Sequence, residues 1–236
     1  MGFKVYNETY RLGTKYKRFS SSRDAGLGVI SIPTDDLLSW YDSETVSLSG
    51  STVTQLTDKM GNHNLTGSYG PTYSASALKG YASLTFNGSS NRLASDSFTL
   101  AQPFTIFGAV SADTLTDQMR LLSSLGGDSG LVYLYSSRLT MFSGGQFTPS
   151  NDFVLAGEPF VFMAKFNSSS SAFKVGTRAK ETGDPSTGGW SSGFCLGANS
   201  GQSGNYFNGK FYEMLIYNAA IGDTDAATII SYLQGK

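Results

Sequence analysis

The chain of 236 residues has one cysteine, one histidine and few charges, and each shortage removes a class of chemistry. With Cys195 alone, no intrachain disulfide can form and no Cys/His set can ligate zinc. Set between Phe194 and Leu196, it reads as a small buried hydrophobe. A Ser-His-Asp arrangement could be built only around His63, whose turn setting, Gly61-Asn62-His63-Asn64, points it to solvent. No apolar run approaches membrane-spanning length, and the N-terminus lacks the apolar core of a secretory signal. Tyr6 stands where a myristoylation site wants Ser or Thr. Gly126-Gly127-Asp128-Ser129-Gly130 carries no phosphate-binding lysine and reads as a hairpin turn.

Charged residues are 15% of the chain, against about 25% in an ordinary globular protein. The surface is therefore dressed with Ser, Thr, Asn and Gly, as in extracellular or virion-exposed β proteins. The net charge of −1 conceals an asymmetry. Residues 1–30 carry Lys4, Arg11, Lys15, Lys17, Arg18 and Arg23 against Glu8 and Asp24, and the remainder is acidic. This segment reads as an attachment arm ahead of a globular body over 31–236, docking on a capsid or tail protein or on another copy of the chain. Its aromatics could stack on single-stranded nucleic acid, but six bases in thirty residues on an acidic body argue against that partner.

What is abundant is pleated-sheet material. Aromatics reach 13%, and short apolar runs alternate with turn residues. Pro103 to Val110 and Pro159 to Phe166 are apolar on both faces, which predicts central strands covered on both sides, with Pro103 and Pro159 tolerated at each strand's first residue. Leu131–Tyr135 and Leu139–Phe142 predict a hairpin around Ser136-Ser137-Arg138. Asn87-Gly88 predicts a strand end, and Asn208-Gly209 a hairpin turn. Residues 180–193 read as a long connection carrying Trp190. The one convincing helix is terminal, with Asp223 as N-cap and Ala226, Ile229, Ile230 and Leu233 at helical spacing. The fold class is all-β, with a short C-terminal helix.

Four segments together resemble a concanavalin A-like jelly-roll β-sandwich of the laminin G-like type found in bacterial and phage proteins. They are Leu38-Ser39-Trp40-Tyr41-Asp42; Val53 through Asp58-Lys59-Met60-Gly61-Asn62; Leu84 through Asn87-Gly88 to Leu93; and Phe194-Cys195-Leu196-Gly197 followed by Phe207 to Asn218. The resemblance covers about 35–236 and departs at Gln55-Leu56-Thr57, where the family has a Trp before the Asp. It implies a sandwich that binds rather than transforms.

Glycosidases of related fold need two carboxylates about 5–9.5 Å apart. Here the acids fall mainly at turns, and Glu213 has Phe211, Leu215 and Tyr217 rather than a second acid on its own strand face. Glu213 therefore reads as structural, accepting hydrogen bonds from loop amides. Calcium, which such sandwiches sometimes hold at a loop rim, has only Asp128 and Asp152 as donors, neither with an acidic partner nearby. Sugar binding needs an aromatic face and a few amides. Trp190 with Asn205 and Tyr206 supplies that chemistry, and Tyr69 and Tyr73 form a second patch; the alternative for Trp190 is a plug beneath its loop. The leading expectation is a non-enzymatic lectin-like module on a virion surface, with a capsid decoration protein, a cell-surface adhesin domain and, last, a glycoside hydrolase as alternatives.

Overall fold

The computed structural model describes residues 9–11, 14–17, 32–78, 80–151 and 153–235, with side chains from residue 32 onward. Strands β1 (Thr9–Arg11), β2 (Thr14–Lys17) and β3 (Ile32–Pro33) form a small antiparallel sheet. Of the attachment residues, Arg11 lies in β1 and Lys15 and Lys17 in β2; Lys4, Arg18 and the side chains of all five lie outside the described residues.

A second, continuous sheet contains sixteen strands among the described residues. In chain order these are β4 (Leu37–Ser49), β5 (Thr52–Asp58), β6 (Leu65–Thr66), β7 (Thr72–Leu78), β8 (Tyr81–Asn87), β9 (Leu93–Ala94), β10 (Phe104–Ala112) and β11 (Arg120–Ser124). They continue as β12 (Leu131–Tyr135), β13 (Arg138–Phe142), β14 (Gln146–Phe147), β15 (Pro159–Phe166), β16 (Ser171–Val175), β17 (Glu181–Gly183), β18 (Phe194–Leu196) and β19 (Asn208–Tyr217). The pairings between these strands are antiparallel, and helix α1 (Asp223–Gln234) follows. Spatially, β17, β16, β15, β10, β19 and β8 lead through β7, β5, β6 and β9 to β18, β11, β12, β13 and β14, while β4 pairs with both β19 and β5.

The doubly apolar strands are central, as their sequence predicts. Along β10, Phe104, Ile106 and Val110 enter one core while Phe107 and Ala109 enter another. The larger core is shared with Val132, Leu134, Leu139, Met141 and Phe194, so two regions of the sheet close on one apolar interior. The second core lies under α1, whose Ala226, Ile229, Ile230 and Leu233 cover β10, β15 and β19. Alternate residues of one strand must face opposite ways, and covering both faces is what makes the run apolar throughout.

Three local expectations need correction. Asn208-Gly209 is not a turn: it opens β19 and pairs with both β8 and β10. Glycine is required there because a Cβ at residue 209 would sit 2.1 Å from the Ser111 carbonyl oxygen. The helix cap is Gly222, with no side-chain cap bond, and Asp223 instead occupies the first turn and pairs with Lys180 at 2.6 Å. The 180–193 connection contains β17. The hairpin turn between β12 and β13 matches expectation, with φ of 50° at Ser136 and 59° at Ser137, the consecutive positive values of a type I′ turn. The turn at Asn87 holds too, since its Oδ1 accepts the amides of Ser89, Ser90 and Asn91.

Candidate functional site

Trp190 does not stand on the surface. It is 1% exposed, stacks on Phe194 with centroids 4.6 Å apart, contacts Phe104, and donates its indole N–H to the Gly130 carbonyl at 2.9 Å. Of its two readings, the structure selects the plug: the sole polar atom of the ring is satisfied internally and the apolar remainder fills the core. The second patch also divides. Tyr69 is exposed, with the Arg92 guanidinium 4.6 Å over its ring, whereas Tyr73 is half-buried and packs on the main core.

Asn205 and Tyr206 do reach a surface with binding chemistry. Val132, Leu134, Leu139 and Met141 point into the core, so Tyr133, Tyr135, Arg138 and Thr140 lie on the opposite face. Register places Arg120 opposite Tyr133, and Tyr133 opposite Thr140; directly opposed residues share a face. Tyr206 joins the row through a parallel bridge to Arg120, and the Asn205 carbonyl accepts the Arg120 amide at 2.8 Å. Tyr133 is the floor of this row. Its hydroxyl donates to Gln146 Oε1 at 2.9 Å, and the Arg120 guanidinium lies 4.4 Å over its ring. Burial pushes the Tyr133 phenol above its usual value, against the opposing charge of Arg120. Gln146 Nε2 in turn donates to Thr148 Oγ1 at 2.9 Å, and Thr148 meets Thr140 at 3.2 Å.

Two residues further along β12 a second row runs parallel. Tyr135 opposes Arg138, which is bridged to Phe153 and places its guanidinium 3.9 Å over that ring. Tyr135 is 36% exposed and Phe153 45%. The face thus offers two accessible aromatic rings, two part-buried guanidinium groups and the Gln146 amide, above the buried Tyr133 and Thr140. That combination suits stacking and hydrogen bonding of a polar ligand. Local spacing could not reveal it, because its members come from β11, β12, β13, β14 and two loops.

The carboxylates have another role. Glu213 is fully buried and accepts from two side chains, Trp40 Nε1 at 2.6 Å and Tyr232 OH at 2.8 Å. A second acid does exist, across strands: Asp42 sits directly opposite Glu213 and is held by Lys59 at 2.8 Å. Asp58, also buried, accepts the amides of Trp40, Met60, Asn62 and His63 and so builds the loop after β5.

His63 is not turned fully to solvent. Its ring stacks on Phe98 at 3.8 Å and Nδ1 contacts Asp96 at 2.8 Å. Cys195 is buried as expected, and burial pushes its thiol up to about 12. Asp128 is exposed and accepts from Ser200, while Asp152 lies outside the described residues. Among the described residues no three His, Cys, Asp or Glu side chains converge on a metal position, and no helix is long and apolar enough to cross a membrane.

No family model matches the chain, and no curated protein matches it significantly. Solved structures do resemble it. Domain 4 of AbnA, a GH43 extracellular arabinanase from Geobacillus stearothermophilus solved with arabinotriose, aligns with TM-score 0.62 and 17% identity over 83% of this chain and 98% of that one. A Trypanosoma rangeli sialidase aligns with TM-score 0.61 and 14% identity, over 90% of this chain but only 35% of the sialidase. The binding domain of Paraclostridial Mosquitocidal Protein 1 aligns with TM-score 0.60 and 11% identity, over 84% and 52% of the two chains. At these identities the likeness is one of fold, and this chain spans about a third of the sialidase's length.

Proposed function

We propose that this chain is a non-enzymatic carbohydrate-binding module, a jelly-roll sandwich of the laminin G-like type that binds glycans on the outer face of β11 to β14. The observation that carries the reading is the pair of rows Tyr206–Arg120–Tyr133–Thr140 and Tyr135–Arg138–Phe153, which combine open rings with polar groups whose orientation neighbours hold. The near-complete overlap with a single arabinanase domain solved with a sugar supports the class. The non-enzymatic part rests on the carboxylates: the two that face each other, Asp42 and Glu213, are 4% and 0% exposed, so a glycosidic bond has no access to them.

Calorimetric titration of the chain with arabino-oligosaccharides, sialosides and acidic and neutral plant oligosaccharides tests this reading. Aromatic contacts at the centre of a binding site are often worth 2 kcal/mol or more, so Tyr135→Ala or Phe153→Ala should weaken binding by roughly thirtyfold. A wild type that binds no glycan at millimolar concentration would move the assignment to a structural decoration protein. Hydrolysis of any of these substrates would remove the non-enzymatic claim. Attachment to a virion or cell surface through residues 1–30 belongs to the same reading and is motivated by their excess of basic residues. Unchanged particle association after neutralising Lys4, Arg11, Lys15, Lys17 and Arg18 would refute it.

A further inference from the structure

We infer that the ligand of this face is an anionic oligosaccharide whose carboxylates seat on Arg120 and Arg138; this rests on the carbohydrate-binding reading above and adds the charge of the ligand to it. The two arginines flank β12, one on β11 opposite Tyr133 and one on β13 opposite Tyr135. Strand spacing and rise put their Cα positions about 12 Å apart, a separation suited to an extended chain of sugars rather than one ring.

Both guanidinium groups lie over an aromatic ring, at 4.4 Å for Arg120 on Tyr133 and 3.9 Å for Arg138 on Phe153. A guanidinium packed on a ring can still present its terminal nitrogens to a planar partner. Neither arginine takes part in a salt bridge among the described residues, where the paired cations are Lys59, His63, Lys180 and Lys210. Nε of each is buried without a hydrogen-bond acceptor.

Two described acids near the face hold loop amides, and Glu181 also feels the charge of Arg138 without an ion-pair contact. Asp117 accepts the Ser136 amide at 2.6 Å. Glu181 takes the Ser150 amide and hydroxyl and the Asn151 amide. Among the described residues neither guanidinium has a carboxylate in ion-pair contact, and both are part-buried. A carboxylate meets a guanidinium edge with two parallel charge-assisted hydrogen bonds, whereas a neutral sugar would leave both charges unanswered.

The test compares oligogalacturonate, the same oligomers fully methyl-esterified, and sulfated heparin oligosaccharides, each titrated into the full chain. The free acid should bind at least tenfold more tightly than its ester, and added salt should shrink that gap. Arg120→Gln and Arg138→Gln should each lose about tenfold for the acid and shrink the gap between acid and ester. Arg→Lys at either position should fall between, since the charge stays and the planar fork is lost. Equal binding of acid and ester by the wild type overturns the charge inference while leaving glycan binding intact, and this comparison needs no variant to fold. Preference for the sulfated chain overturns the carboxylate assignment. Failure of every glycan, including the neutral ones, overturns the binding reading itself.

Discussion

Trp40 Nε1 donates to Glu213 Oε1 at 2.6 Å across 173 positions of sequence. The same oxygen accepts the hydroxyl of Tyr232 on α1, and Trp40 meets the Tyr232 ring edge-on with centroids 6.2 Å apart. One buried carboxylate thus joins an early strand, the last strand and the terminal helix.

Replacing Glu213 should therefore unfold rather than inactivate. Glu213→Ala strands two donors in the interior, each worth roughly 1–3 kcal/mol when left unsatisfied, and should lower stability by about 3 kcal/mol or more. Glu213→Gln keeps an acceptor oxygen and relieves the like charge of Asp42 opposite, so its loss should be clearly smaller. Urea unfolding of both variants checks the order; equal losses would refute the acceptor role.

Trp190→Ala should cost about 3–5 kcal/mol, the range for deleting a buried aromatic side chain. Glycan affinity of the folded fraction should stay within twofold of wild type. A variant that melts normally but loses binding would return Trp190 to the surface role its loop suggests.

Gly209→Ala should destabilise despite the small change in size. The new methyl would fall 2.1 Å from the Ser111 carbonyl and 2.8 Å from the Phe207 ring, so β19 and β10 must part. Overpacking of this kind costs typically 1–3 kcal/mol. An unchanged melting temperature would show that the strands can separate there without penalty.

Alkaline stability follows from the tyrosines. Burial is the leading cause that raises the phenols of Tyr41, Tyr133 and Tyr217. The unfolded chain ionises near pH 10, below the folded values, so the contribution is present below about pH 10 and is lost as pH rises above it. Unfolding free energy should fall steeply above pH 10, with tyrosinate absorbance appearing together with unfolding for these three. Tyr133→Phe should flatten part of that slope.

What the sequence shows and hides follows from the range of the forces. The doubly apolar β10 and β15 are legible because covering on both sides leaves every position apolar. The face of α1 is legible because its four buried residues recur at one helical spacing. Asn208-Gly209 misleads because its local turn preference is overridden by hydrogen bonding to β8 on one side and β10 on the other. The rows around Arg120 and Arg138 are invisible locally, since they exist only once β11 to β14 are in register. For the same reason Asp42, far from Glu213 in the chain, could not be seen as its neighbour. Aromatic and amide character singles out Asn205, Tyr206 and Trp190 alike, yet the first two lie beside Arg120 near the surface and Trp190 is buried.

The place of β19 has a consequence for biosynthesis. This late strand lies between β8 and β10 and also pairs with β4, so both sides of the main sheet wait for it. A nascent chain arrested before residue 217 would carry β10 with one side unpaired and its helix-facing residues bare, an adhesive species. The main sheet cannot close until β19 has been made, and the long separation of its contacts makes folding slow. Production yield should respond to chaperone supply more strongly than thermal stability alone would suggest.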